Sequence, residues 1–119
     1  MNIVTICREF EFDSAHHLDW HDGKCKNLHG HTYKLRVYAK GELNENGVVQ
    51  DFGDLKQLVN EVVVDKYDHT YLNSFFDNPT AEIMAKKILV DLRRRDKTIF
   101  KIRLYETPVS YAEVEVAGN

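Results

Sequence analysis

The chain has 119 residues, enough for one domain with a real core and no disulfide staples. Hydrophobic residues make up 43% and charged residues 29%, with two prolines and six glycines, which excludes collagen-like, low-complexity and disordered readings. Sixteen basic against nineteen acidic side chains leave a net charge of -3 with no long basic run, so a nucleic-acid partner held by phosphate neutralisation is disfavoured.

In chain order, Val4 to Phe12 alternates, with Val4, Ile6, Arg8, Phe10 and Phe12 on one parity and Thr5, Glu9, Glu11 and Asp13 on the other. That two-residue period predicts a strand with one buried face. The segment begins without the basic start and continuous apolar stretch of a signal peptide, and the longest apolar runs, such as Val62 to Val64, fall far short of the ~20 residues that span a bilayer. Two cysteines, Cys7 and Cys25, are too few for a secreted disulfide framework. A cytoplasmic protein without a membrane partner is expected.

Trp20 to Asn27 is polar and reads as a loop. From His31 the alternation returns, with Tyr33, Leu35, Val37 and Ala39 inward, until a turn at Asn44 to Gly47. Phe52, Leu55, Leu58, Val59, Val62 and Val63 recur at helical spacing, and Asp68 to Asp77 is irregular. Asn78-Pro79 predicts an N-cap and first turn for a second helix, with Ala81, Met84, Ala85, Ile88 and Leu92 inward and Arg93 to Arg95 complementing its dipole. Ile99 to Glu106 predicts a third strand with Phe100, Ile102 and Leu104 on one face, and Ala112, Val114 and Val116 mark a fourth. The predicted class is α+β: a four-stranded antiparallel sheet carrying both helices on one face, as a single domain over residues 1–119.

His29 and His31 stand two apart on one strand, so both point to the face of Tyr33 and Leu35. Gly30 between them is expected to let the backbone bend towards a shared ion. The first strand ends on its inward parity with Ser14 and His16, and antiparallel pairing would deliver His16 to the other two. Three neutral imidazoles with an open position form the ligand set of a catalytic zinc site, whereas a lone histidine is more often a hydrogen-bonded surface or core residue. His17 is out of phase and His21 lies in the loop, so neither is expected to bind metal.

Cys25 lies four residues before His29, flanked by Lys24 and Lys26, whose charge favours a thiolate. That thiolate can serve as base, as nucleophile, or as a fourth ligand that closes a structural site. Asp68-His69 reads either as a carboxylate-oriented imidazole for proton transfer or as a solvated turn. Glu106 continues the parity of Ile102 and Leu104 and should face inward. It can accept two hydrogen bonds from a guanidine-like ligand edge, or form a salt bridge at the rim of the sheet.

The segments SAHHL (Ser14 to Leu18), CKNLHGHTY (Cys25 to Tyr33), VVQDF (Val48 to Phe52), YDHTYLN (Tyr67 to Asn73), NPTAE (Asn78 to Glu82) and YET (Tyr105 to Thr107) resemble, in order over nearly the whole chain, the 6-pyruvoyl-tetrahydropterin synthase family. Three residues between Cys25 and the HGH are the form typical of its 6-carboxy-5,6,7,8-tetrahydropterin branch. The resemblance implies the tunnelling fold, with four strands of each subunit joining a trimeric barrel and two trimers stacking into a homohexamer. It implies Zn2+ on His16, His29 and His31, Cys25 as the catalytic thiol, and Asp68 and His69, reaching in from a neighbouring subunit, as its proton-transfer partners. Glu106 would anchor the pterin, and Thr80 and Glu82 match a PT-x-E motif whose threonine region lines that subsite. The implied reaction is a lyase step in queuosine and 7-deazapurine biosynthesis. It converts 7,8-dihydroneopterin triphosphate to 6-carboxy-5,6,7,8-tetrahydropterin, acetaldehyde and triphosphate. The alternatives are the pyruvoyl synthase reaction on the same substrate, and a non-catalytic zinc module with Cys25 as fourth ligand.

Overall fold

The computed structural model describes residues 2–117. Two long strands dominate it: β1 (Val4–His16) and β2 (His29–Gly41) pair antiparallel along their full length, from Val4 opposite Gly41 to His16 opposite His29. The loop between them carries a single 3-10 turn over Lys24–Lys26. Helix α1 (Phe52–Val59) continues through a π-helical stretch, Asn60–Val64, into a short turn α2 (Asp65–Tyr67). A two-residue strand β3 (Thr70–Tyr71) follows, then helix α3 (Ala81–Arg95) and the hairpin of β4 (Ile99–Thr107) and β5 (Ser110–Glu115).

The sheet has five strands in the order β3-β1-β2-β4-β5. It is therefore mixed rather than four-stranded and antiparallel, because β3 runs parallel to β1, pairing at Ser14 and Ala15. No two-residue period could announce a strand of two residues, and the contact belongs to the turn that precedes it. The other sheet pairs are antiparallel as expected.

One face of the sheet is buried. Phe10, Phe12, Tyr33, Leu35, Val37, Ala39, Ile102 and Leu104 meet Leu55, Val59 and Val63 of the first helical segment and Met84, Ala85, Ile88, Leu89 and Leu92 of α3. Leu55, Val59, Val63 and Tyr67 recur at uniform four-residue steps, and all four are buried. In a regular α-helix such steps drift by about 40° each, so the wider π turn is what keeps them facing the sheet. Phe52, placed in the inward set by its spacing, is instead half exposed at the first turn, where Asp51 caps the helix by accepting from the Gly53 and Asp54 amides.

Two further expectations change. Ile99, not Phe100, occupies the inward site, because the β2–β4 register shifts between Tyr38 and Ala39. Phe100 turns to the opposite face against Tyr38. At the start of α3 the cap is Thr80, whose hydroxyl accepts from the Ile83 amide at 3.1 Å; Asn78 and Pro79 precede the helix. Among the described residues no helix is long and apolar enough to cross a membrane.

Candidate active site

Sheet register assembles the site. His16 lies directly opposite His29, and His31 lies opposite Ser14, so three imidazoles on inward positions share one end of the β1–β2 ladder. Their ring centroids are 4.6, 5.1 and 4.8 Å apart. One nitrogen from each falls within 4.8 Å of the others, a grouping that can hold a metal ion. His16 is fully buried and the other two are half-buried. Gly30 does not act through a special backbone conformation. A Cβ there would meet only the Ser14 carbonyl, at an ordinary 3.6 Å.

The outer nitrogens are held by carbonyls. His16 Nδ1 donates to the Pro79 carbonyl at 2.8 Å, and His29 Nδ1 donates to the Asn27 carbonyl at 2.7 Å. A carbonyl only accepts, so each ring carries its proton on Nδ1 and presents a bare Nε2. Those two Nε2 atoms are 3.1 Å apart, and the buried Nε2 of His31 has no hydrogen-bond partner among the described residues. Two lone pairs converge beside a third ring nitrogen that no partner engages, and three imidazoles so placed are a donor set a cation fits. Burial pushes the proton affinity of His16 and His31 below that of an ordinary histidine, keeping both in the neutral, ligating form.

Glu106 joins this cluster. Its carboxylate oxygens lie 3.7 Å from His31 Nε2 and 4.0 Å from His16 Nε2, and its side chain is 27% exposed. It faces inward as its parity requires. A cavity of about 490 Å³ runs from His31 and Glu106 along Gly30, Thr32, Lys34 and Tyr105.

Cys25 sits half-buried in the 3-10 turn, outside the three-histidine grouping. Its carbonyl accepts from the Leu18 amide at 2.8 Å, which folds the loop back on the end of β1. Asp68 and His69 also stand apart from the histidines and form their own group with Asp13. Asp68 (φ -63°, ψ 132°) and His69 (φ 57°) take the two central positions of a tight turn, held by the Asp13 backbone. The Asp13 amide donates to Asp68 Oδ1 at 2.9 Å, and the His69 amide donates to the Asp13 carbonyl at 2.6 Å. His69 Nδ1 is 3.0 Å from Asp68 Oδ2, and the His69 side chain is 78% exposed. The Asp13 amide, more than the neighbouring imidazole, holds the Asp68 carboxyl below the usual carboxylate range. His69 nevertheless borders a cavity of about 520 Å³ that it shares with His31.

A model of the family described as 6-pyruvoyl tetrahydropterin synthase matches residues 5–117, a span that includes every one of these side chains. The chain belongs to that family. Among its relatives, the 6-carboxy-5,6,7,8-tetrahydropterin synthase of Haemophilus influenzae is 42% identical, covering 95% of this chain and 99% of that one. The protein of the same name from Synechocystis is 39% identical over 73% of each chain. The structure of the 6-pyruvoyl tetrahydropterin synthase of Caenorhabditis elegans superposes with a TM-score of 0.88 at 30% identity, over 98% of both chains.

Pro79 and Asn27 went unseen in the sequence because they act through carbonyls, which every residue carries. Only nearness to a histidine two positions away could have pointed to Asn27. Thr80 uses its hydroxyl as a helix cap, while Glu82 shares a cavity with Glu106. His17 and His21 are otherwise engaged: His17 lies between the Tyr71 hydroxyl and Asp19, each 2.8 Å away, and His21 accepts from the Gly23 amide.

Proposed function

We propose that the protein is a zinc-dependent carbon-carbon lyase, a 6-carboxytetrahydropterin synthase. Its substrate would be 7,8-dihydroneopterin triphosphate and its products 6-carboxy-5,6,7,8-tetrahydropterin, acetaldehyde and triphosphate, in queuosine and 7-deazapurine biosynthesis. The observation that carries this reading is the convergence of three imidazole nitrogens, two of them bare and the third unpartnered, beside an inward carboxylate, in a chain of this family. The relatives named for the carboxy product, two of them at 42% and 39% identity, favour that product over the pyruvoyl one.

His16, His29 and His31 would hold the zinc, which supplies Lewis acidity towards the oxygens of the substrate side chain. The chain's own groups do the remaining work. Cys25 and His69 exchange protons on opposite faces of that side chain, and Asp68 fixes His69 with its proton on Nδ1. Glu106 binds the amino-pyrimidine edge of the pterin and keeps the reacting carbons in register, with Thr80 flanking the same subsite. His69, mostly exposed and apart from the histidine cluster, would complete the site of a neighbouring subunit in a homohexamer built as a dimer of trimers.

Incubation of the purified protein with 7,8-dihydroneopterin triphosphate, followed by mass spectrometry, tests the reading. Carboxytetrahydropterin with acetaldehyde is expected. A pyruvoyl product would move the chain to the other activity of the family, and an unchanged substrate would remove the catalytic reading.

A further inference from the structure

Glu106 stands where the β4–β5 register shifts between Tyr105 and Thr107, so its side chain leaves the sheet at an irregular point. Its carboxylate does not close on a donor. The two nearest ring nitrogens are His31 Nε2 at 3.7 Å, which no hydrogen bond engages, and His16 Nε2 at 4.0 Å, left bare by the proton on Nδ1. A charge-assisted hydrogen bond to a protonated ring would draw in to about 2.7–2.9 Å. Two ligands of one tetrahedral ion, each about 2.0–2.1 Å from it, stand instead about 3.3 Å apart. The spacings here, 3.1 Å between His16 and His29 and 3.7 to 4.0 Å to the carboxylate, straddle that value. Glu106 also borders two cavities, one beside His31 and one beside Ala81 and Glu82, so it has room to turn away.

We propose that Glu106 is the fourth metal ligand in the substrate-free protein and that the incoming pterin ring draws it off. The same carboxylate would close the centre at rest and open it when substrate binds. The ligand half of this inference rests on the histidines holding a metal, and the exchange half rests on the pterin reading above. The chemistry is compatible, since imidazole and carboxylate are both ordinary zinc ligands. The benefit is selectivity in time: a coordination position appears only when the ring whose side chain must be cleaved is already seated.

Chelator competition with Zn2+ on the full-length protein tests the ligand role without any turnover. Glu106→Gln and Glu106→Asp should each bind zinc at least about tenfold more weakly than the parent, because the first loses the charge and the second the reach. If both stay within about twofold of the parent, the ligand role is overturned; if only the Gln variant weakens, the carboxylate acts by its field and not by coordination. For the exchange, a pterin lacking the side chain is added to the Co2+-loaded protein. The visible absorption of the parent should change and that of Glu106→Gln should not. An unchanged parent spectrum at saturating pterin overturns the exchange. Failure of the parent to bind either metal overturns the metal reading itself, whereas a missing reaction product would leave these titrations standing.

Discussion

Two imidazole nitrogens 3.1 Å apart, each with its ring proton on the far side, repel one another unless something positive lies between them. The third, His31 Nε2, is buried without a partner, and an unsatisfied buried polar atom costs about 1–3 kcal/mol. The metal-free protein therefore carries a local strain that a divalent cation relieves. His31→Ala should abolish stoichiometric zinc binding, measured by metal analysis after dialysis, and an unchanged zinc content would remove His31 from the ligand set. The same burial fixes a pH dependence. His16 and His31 bind protons less readily folded than unfolded, so between the ordinary histidine value near 6.5 and their lowered folded values the unfolded chain holds more protons. Stability of the metal-free protein should accordingly fall as pH is lowered from 7 through that window, then level off once the folded rings also protonate. Thermal melts in chelator at a series of pH values check this. A melting temperature that rises on acidification through pH 6 would contradict it.

His69 shows what a single element can store. A residue with φ near 57° and a Cβ costs about 1–2 kcal/mol in the left-handed region, though histidine is one of the side chains found there more often. The neighbouring Asp68–His69 pair, largely exposed, returns little. His69→Gly should thus leave stability unchanged or raise it by up to about 1 kcal/mol, once the added freedom of the unfolded chain is deducted, while turnover is lost. A clear loss of stability in denaturant titration would mean the ring itself holds the turn. Elements whose residues alternate or recur regularly are legible in the sequence. The β1–β2 ladder followed from parity, and with it the meeting of His16 with His29 and His31 and the inward Glu106. The π turn after Val59 follows from uniform four-residue spacing only once the faces are known. Phe100 and the two-residue β3 were not readable, because a bulge and a parallel edge contact are decided by neighbours distant in sequence. The Thr80 cap was misplaced by two residues because asparagine before proline is also an acceptable start, and there Asn78 instead accepts from the Trp20 indole at 2.8 Å.

At the scale of the whole molecule the sheet outruns its core. A compact chain of this length would have a radius of gyration of about 13.5 Å. The observed value is 15.4 Å, with extents of 52 × 28 × 25 Å. The helices cover one sheet face, and β3 pairs with β1 only at Ser14 and Ala15, leaving the outer edge of β1 from Val4 to Asp13 without a strand among the described residues. At the other side of the sheet β5 is likewise a terminal strand. Two long open edges invite edge-to-edge pairing between subunits, and closure into a ring removes both. The uncovered face carries cross-strand ion pairs, Arg36 with Glu9 and Arg103 with Glu113, and Arg103 also lies over Tyr111. If the sites are then shared, Cys25 of one chain works with His69 of another, and inactive variants should rescue each other. Cys25→Ala and His69→Ala homo-oligomers are both expected to be inactive and to keep their metal. Unfolded together at equal amounts and refolded, they should regain about a quarter of the parent rate, because a working site needs an intact thiol from one subunit and an intact imidazole from its neighbour. If each chain builds its site alone, the mixture stays as inactive as its components, and light scattering on the same sample shows whether the oligomer formed at all.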